Sequence, residues 1–173
     1  MLEIVNIVAT ASLKQKVDLV EISKMKHIIF DQEIYGGRVA YLKTPSMHGK
    51  VTIFSSGKLI SVGTKSPTEA REDLQATAEM LSEHNYIKQV EIEAQVRNIV
   101  AVKKLSERLD LEEIANRHPS IYEPEQFPAL IMKLNNPKAT LLIFSTGKIV
   151  IAGTKSQYEL EETEKHIKKI LAP

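Results

Sequence analysis

An α+β fold made from two copies of one unit is what this sequence predicts, and three observations predict it. Short stretches recur: Ile53-Phe54-Ser55-Ser56-Gly57-Lys58 returns as Ile143-Phe144-Ser145-Thr146-Gly147-Lys148, Gly63-Thr64-Lys65-Ser66 as Gly153-Thr154-Lys155-Ser156, and Asn6-Ile7-Val8-Ala9 as Asn98-Ile99-Val100-Ala101. Within each copy, β-branched apolar runs separated by turn glycines come before one longer stretch of helical periodicity. Each of those stretches opens on a capping signature. Recurrence at this period means a duplicated supersecondary unit with the same face to bury. The expected organisation is a first repeat over 1–87 and a second over 88–173, joined as one structural unit about a pseudo-twofold axis. A ligand held by both copies should itself be close to twofold symmetric.

The register follows from the residues. Asn6 and Asn98 are 92 apart (98 − 6), and the same spacing matches Leu13 with Leu105, Asp18 with Asp110, Ile22 with Ile114 and Pro45 with Pro137. Phe54 and Phe144 are 90 apart (144 − 54). The expectation is therefore two extra residues in the first copy between Pro45 and Val51, making Ser46–Lys50 the longer turn. In this register Tyr35 matches Phe127 and Phe30 matches Tyr122.

Each copy opens on an apolar strand, expected over Glu3–Ala11 and Val90–Val102. Asp18 with Glu21, and Asp110 with Glu113, then mark short helix starts, because both side chains can satisfy free backbone N–H groups. Three extended segments follow: Tyr35–Lys43, Lys50–Ser56 and Lys58–Lys65, matched by Phe127–Leu134, Thr140–Ser145 and Lys148–Lys155. Gly57 and Gly147 fall at tight turns. The closing helices carry the boxes Ser66-Pro67-Thr68-Glu69 and Ser156-Gln157-Tyr158-Glu159, with Pro67 at the first helical position, where its missing N–H costs nothing. Leu74, Ala78 and Leu81, then Leu160, Ile167 and Ile170, form the stripes that lie on the sheet.

Composition narrows the function classes. The 173 residues suffice for one domain or two small halves sharing a core. No apolar run approaches a membrane span and no secretory signal opens the chain, so a protein that is neither secreted nor membrane-bound is expected. Cysteine is absent, which excludes disulfides and thiolate chemistry. The five histidines show no ligand spacing, and no nucleophile–base constellation occurs, so neither a metal, a cofactor nor an enzyme is expected. The 23 basic and 22 acidic side chains nearly cancel. If nucleic acid is the ligand, charge must be segregated by face, or affinity must come from something besides phosphate attraction.

With all helices on one side, the other sheet face is left bare. Alternation gives it Asn6, Val8, Phe54, Ile60 and Val62, with Asn98, Val100, Phe144, Val150 and Ala152. A wide apolar surface of this kind marks an interaction site. Its central polar groups are the two asparagines.

The paired Asn-Ile-Val strands, Ile-Phe-Ser-(Ser/Thr)-Gly-Lys hairpins and Gly-Thr-Lys-Ser exits, with Tyr122-Glu123-Pro124-Glu125-Gln126-Phe127-Pro128, resemble the TATA-binding protein family across essentially the whole chain. The start close to the first strand is similar to the archaeal members. The resemblance implies a saddle of one continuous curved antiparallel sheet, helices on its convex face, seated on a widened minor groove of A·T-rich promoter DNA that it bends. Asn6 and Asn98 would serve groove acceptors, and Val8 and Val100 would leave no room for a guanine amino group. Ile60, Val62, Leu142, Val150 and Ala152 would floor the groove. Tyr35 with Phe54, and Phe127 with Phe144, would wedge open base steps at the two ends. Lys58 and Lys148, with Lys65 and Lys155, would neutralise phosphates. Glu123 and Glu125 resemble the acidic pair that contacts the transcription factor B family, and RNA polymerase would be recruited indirectly. Such a factor works where the DNA is, in the cytoplasm or nucleoid of an archaeal-type cell, or the nucleus of a eukaryotic one.

Departures from the family carry their own expectations. Val62 and Ala152 stand where the family usually has Thr, so hydrogen bonding should contribute less to base recognition. Tyr35-Gly36-Gly37-Arg38 should make a shallower kink and a more mobile edge. Two other readings are a divergent paralogue acting mainly through proteins, and a duplicated sheet module that holds a small ligand in an enclosed pocket or serves as an accessory domain.

Overall fold

The structure, a computed structural model, describes residues 1–172. The expected α+β class is what it shows: nine strands and four helices in two compact units, Asn6–Arg97, and Met1–Val5 with the chain from Asn98 onward. The first five residues thus cluster with the second repeat, and residues 88–97 with the first.

In the unit Asn6–Arg97 the elements are β1 (Leu2–Ser12), α1 (Leu19–Ile22), β2 (Ile28–Phe30), a tight turn over Ile34–Gly37, β3 (Val39–Leu42), β4 (Lys50–Phe54), β5 (Lys58–Thr64) and α2 (Pro67–Glu83). The strands lie in the order β2-β3-β4-β5-β1, and α2 packs on β4 and β5. Ile7, Leu42, Ile53, Leu59, Leu74 and Leu81 are fully buried between helix and strands. Asp18 Oδ1 accepts the N–H groups of Val20 and Glu21, so one aspartate starts α1. Ser66 caps α2 through the Glu69 N–H, and the Glu69 carboxylate reaches back to the Lys65 N–H. That pair of bonds satisfies donors that the first helical turn leaves free.

The second unit repeats the plan with β6 (Gln95–Lys104), α3 (Leu111–Arg117), β7 (Ala129–Asn135), β8 (Lys138–Phe144), β9 (Lys148–Thr154) and α4 (Gln157–Leu171). Its strand order is β6-β9-β8-β7. Ser156, Glu159 and Lys155 reproduce the helix cap bond for bond. Leu130, Leu141, Ile143, Ile149, Ile151 and Leu160 fill the core.

Four expectations are corrected. Val90–Ala94 alternate like a strand, but β6 begins only at Gln95. Tyr35–Arg38 are not extended either, since β3 starts at Val39, and the three-residue β2 was not foreseen. The position of the two-residue insertion also moves. Val39 pairs with Phe54 and Tyr41 with Thr52, as Ala129 pairs with Phe144 and Ile131 with Leu142, so β3 and β7 already match at a spacing of 90. Ile29 pairs with Tyr41 and Ile121 with Ile131, which keeps the spacing at 92 for β2. The extra residues therefore lie in Asp31–Arg38, and Leu42-to-Lys50 is as long as Met132-to-Thr140. Ser46–Lys50 is not a longer turn, and, counted back from the ladders, Gly37 stands two residues before β3 as Phe127 stands two before β7.

Those two equal segments nevertheless run differently. The second continues the β7–β8 hairpin out to Asn135 opposite Lys138. The first leaves the ladder at Leu42 and Lys50 and closes into a loop. Asp73, 2% exposed on α2, accepts the His48 and Gly49 N–H groups at 3.0 and 2.7 Å. Lys43 Nζ donates to the carbonyls of Met47, His48 and Gly49. A buried carboxylate needs such donors, and loop backbone can supply two where a hairpin's paired N–H groups cannot.

Candidate nucleic-acid interface

Alternation along the strands separates two faces in each unit. In the first, Ile7, Ala9, Ala11, Ile53 and Leu59 are buried, while Asn6, Val8, Thr10, Thr52, Phe54, Ile60 and Val62 stay half-exposed. In the second, Ile99, Ala101, Leu141 and Ile151 are buried, while Asn98, Val100, Val102, Leu142, Phe144, Val150 and Ala152 stay half-exposed. Directly opposed residues share a face, so the ladders define rows. Thr10, Ile60, Thr52, Tyr41 and Ile29 make one row in the first unit. Its counterpart in the second is Val102, Val150, Leu142, Ile131 and Ile121. The first row carries three hydroxyls and the second none. Thr10, Thr52 and Tyr41 were not among the expected site residues, although Thr10 lies two residues from Val8 and Thr52 two from Phe54, a spacing that keeps a side chain on the same face.

The two asparagines are held by one device. Between Ile7 opposite Thr64 and Ala9 opposite Ser61, β5 carries one residue more than β1, and the β6–β9 pair repeats this between Ile99 and Ala101. Each bulge is made at a glycine, Gly63 with φ +87 and Gly153 with φ +98, a conformation that side chains resist. The bulge takes the glycine N–H out of the ladder, and the asparagine collects it: Gly63 N–H donates to Asn6 Oδ1 at 2.8 Å and Gly153 N–H to Asn98 Oδ1 at 2.7 Å. A backbone N–H can only donate, so it fixes which end of the amide faces it. The Nδ2 groups, with two N–H donors each, are left to face a ligand. Such a pair suits an acceptor.

The aromatic residues differ between the units. Phe127 and Phe144 meet edge to face with centroids 6.1 Å apart, and Lys148 Nζ lies 5.9 Å from the Phe144 centroid. Glu123 accepts the Gln126 and Phe127 N–H groups through its carbonyl, a turn that sets Phe127 in place. Its own carboxylate and that of Glu125 are exposed. Among the described residues that ring pair is the one aromatic contact, and Tyr35 is 72% exposed in the turn Ile34–Gly37. Lys58, Lys65, Lys148 and Lys155 are exposed, and Lys50 Nζ sits 4.5 Å over the Tyr41 ring.

The strands and α2 differ in charge. The nine strands carry eight basic residues and one carboxylate, Glu3. Helix α2 carries five carboxylates and one arginine. One of the strand cations, Lys103, turns inward to an ion pair with Glu164. Arg97 donates to Thr10 Oγ1 and so borders the same face. A cavity of about 1410 Å³ is an open groove on the helix side between α2 and residues 85–91. No group of side chains among the described residues is arranged to hold a metal, and no helix is long and apolar enough to cross a membrane.

Comparison with known proteins agrees with this geometry. The family model described as transcription factor TFIID, or TATA-binding protein, matches residues 1–84 and 93–173. The TATA-box-binding protein of Cenarchaeum symbiosum is 37% identical over 92% of this chain and 88% of its own length. That of Pyrodictium occultum is 40% identical over 91% of this chain and 79% of its own. Among solved structures, the TBP of Methanococcus jannaschii superposes with a TM-score of 0.85 at 29% identity, covering 98% of this chain and 97% of that one.

Proposed function

The chain belongs to the TATA-binding protein family, and from that premise we propose that it starts transcription by seating its open strand faces in the minor groove of A·T-rich promoter DNA and bending it. The family is one of transcription factors, not enzymes. The observation that carries the proposal is the orientation of two amides. With Oδ1 of Asn6 and Asn98 engaged by glycine N–H groups, each side chain offers donors only. The minor groove of A·T pairs offers acceptors only, adenine N3 and thymine O2, while G·C adds a donor that these amides would meet head-on. Val8 and Val100, beside the asparagines on the same faces, would crowd the guanine amino group as well.

The apolar residues Ile60, Val62, Leu142, Val150 and Ala152 supply contact area that needs no charge, and prying a base step apart with Phe54 or with Phe127 and Phe144 costs roughly a few kcal/mol, offset by the contact that bent DNA permits. The lysines on the strand face, Lys58 and Lys148 first, would neutralise nearby phosphates, with Lys65 and Lys155 as a second repeat-related pair. Glu123 and Glu125 would present their carboxylates to a factor B type partner, which brings RNA polymerase. The work would take place where the genome lies, in the cytoplasm and nucleoid of an archaeal-type cell.

Fluorescence anisotropy on three duplexes tests the reading. An A·T-rich site should bind, the same site with G·C pairs should not, and inosine·C pairs, which lack the minor-groove amino group, should restore binding. Absence of binding to the A·T-rich duplex at low salt, or equal binding to the G·C duplex, would sink it.

A further inference from the structure

Gly37 lies two residues before β3, the distance at which Phe127 precedes β7, and it brings no side chain to the edge beside Phe54. Phe127 and Phe144, edge to face, make one thick wedge. Phe54 has no ring against it among the described residues. The longer Asp31–Arg38 segment cannot supply one from the equivalent position. Tyr35, Gly36 and Gly37 run through φ +51, +63 and +70, three left-handed residues in succession, and a Cβ at Gly37 would sit 3.2 Å from Gln32 Cγ. Tyr35 hangs exposed two residues earlier.

We infer that this chain opens its two base steps unequally, the Phe127–Phe144 pair parting one step widely and Phe54 alone parting the other less, and that this inequality sets the direction in which the protein lies on DNA. The inference rests on the minor-groove function proposed above. A two-ring wedge displaces the bases further, so its cost depends more steeply on how stiff the step is. TA steps unstack readily and A-tract steps resist. On a site with TA at one end and an A-tract step at the other, the two-ring wedge takes the TA step. A preference of about tenfold for that orientation corresponds to a difference of about 1.4 kcal/mol.

The test uses 2-aminopurine placed at one or other of the two steps, with anisotropy on the same samples to show that a complex forms. The fluorescence rise should be larger at the TA step. Phe127→Ala should cut that rise and leave the far step nearly unchanged, and Phe54→Ala should do the reverse. Moving the TA step to the opposite end should carry the Phe127-dependent rise with it. Equal rises at both steps, lost equally in both variants while anisotropy still reports a complex, would overturn the inequality and leave minor-groove binding standing. No complex on any A·T-rich duplex would remove the binding reading and this inference together. If Phe127→Ala fails to fold, Phe127→Leu makes the same comparison, since leucine keeps apolar cover and removes the ring.

Discussion

The two units keep the same asparagine–glycine pair and differ in the core behind it and at the sheet edge. Asn6 with Gly63 and Asn98 with Gly153 repeat to within 0.1 Å in hydrogen-bond length (2.8 and 2.7 Å). Yet the core behind them changes. The buried position filled by Ile151 in one is Ser61 in the other, Thr163 stands in the place of Asp73, and Lys103 with Glu164 replaces Ala11 with Leu74. The edge changes too, from a ring pair to a single phenylalanine. A sheet core tolerates any filling of the right volume and satisfied polarity, whereas an acceptor-only ligand tolerates one orientation of an amide. The repeated parts are thus the ones that a near-symmetric ligand would read twice.

The sharpest way to break the comparison is to invert the amides. In Asn98→Asp the Gly153 N–H still finds an acceptor, but the outward group becomes a carboxylate facing acceptors in the groove. Losing donors and adding repulsion should weaken A·T-rich binding by about 3 kcal/mol, more than a hundredfold. Asn6→Asp should cost a comparable amount, and thermal melts should barely move. A loss confined to one of the two variants would show that the devices look alike without acting alike.

Next in size is the loop in the first unit. Asp73→Thr gives α2 the residue that its counterpart carries, but leaves the His48 and Gly49 N–H groups without their acceptor. Two weakened buried donors predict a loss of about 2–3 kcal/mol in urea unfolding. Thr163→Ala, whose hydroxyl bonds only the Glu159 carbonyl of its own helix, should cost under about 1 kcal/mol. Equal losses would mean that the loop is not held by Asp73.

A smaller effect of opposite sign is expected at Ser61, 0% exposed, whose hydroxyl has no hydrogen-bond partner. Ser61→Ala removes an unsatisfied group and should raise stability by roughly 1 kcal/mol, seen as a higher urea midpoint at unchanged slope. A lower midpoint would show that the hydroxyl has a partner in solution, such as a buried water.

How far the sequence could be read follows from these residues. The duplication, the two long helices, their caps and the Asn pair were legible, because each is a local pattern with one physical meaning. The insertion was not. Pro45 and Pro137 match by chance at the wrong spacing, and Tyr35 looks like a partner for Phe127, while Asp31–Arg38 has no apolar period to mark where the chain lengthens. Val90–Ala94 shows the converse: its alternation is that of a strand, and only the ladder decides that it is not one. The bulges at Gly63 and Gly153 were hidden for a related reason, since one extra residue shows itself only against the partner strand. Without them the asparagines were merely polar residues on an apolar face.

The least of the expected effects concerns Lys103 and Glu164, a pair that the first unit replaces by buried Ala11 and Leu74. The hydrogen bond from Lys103 holds the Glu164 carboxyl below its ordinary value of 4.5, with partial burial pulling the other way. The folded state therefore binds this proton less tightly than the unfolded chain does. The stabilisation is fully present above the ordinary carboxylate range and is lost as pH falls through the lowered folded-state value. Guanidinium midpoints measured from pH 7 down to pH 3 should thus fall in the wild type partly through this pair. The double variant Lys103→Ala with Glu164→Leu, which copies the first unit, should keep more of its pH 7 stability at pH 3. Lys103→Ala alone should be less stable at pH 7 than the double variant, because it leaves a half-buried carboxylate without its cation. Parallel acid limbs for wild type and double variant would show that the first unit's apolar pair and the second unit's ionic one answer to pH alike.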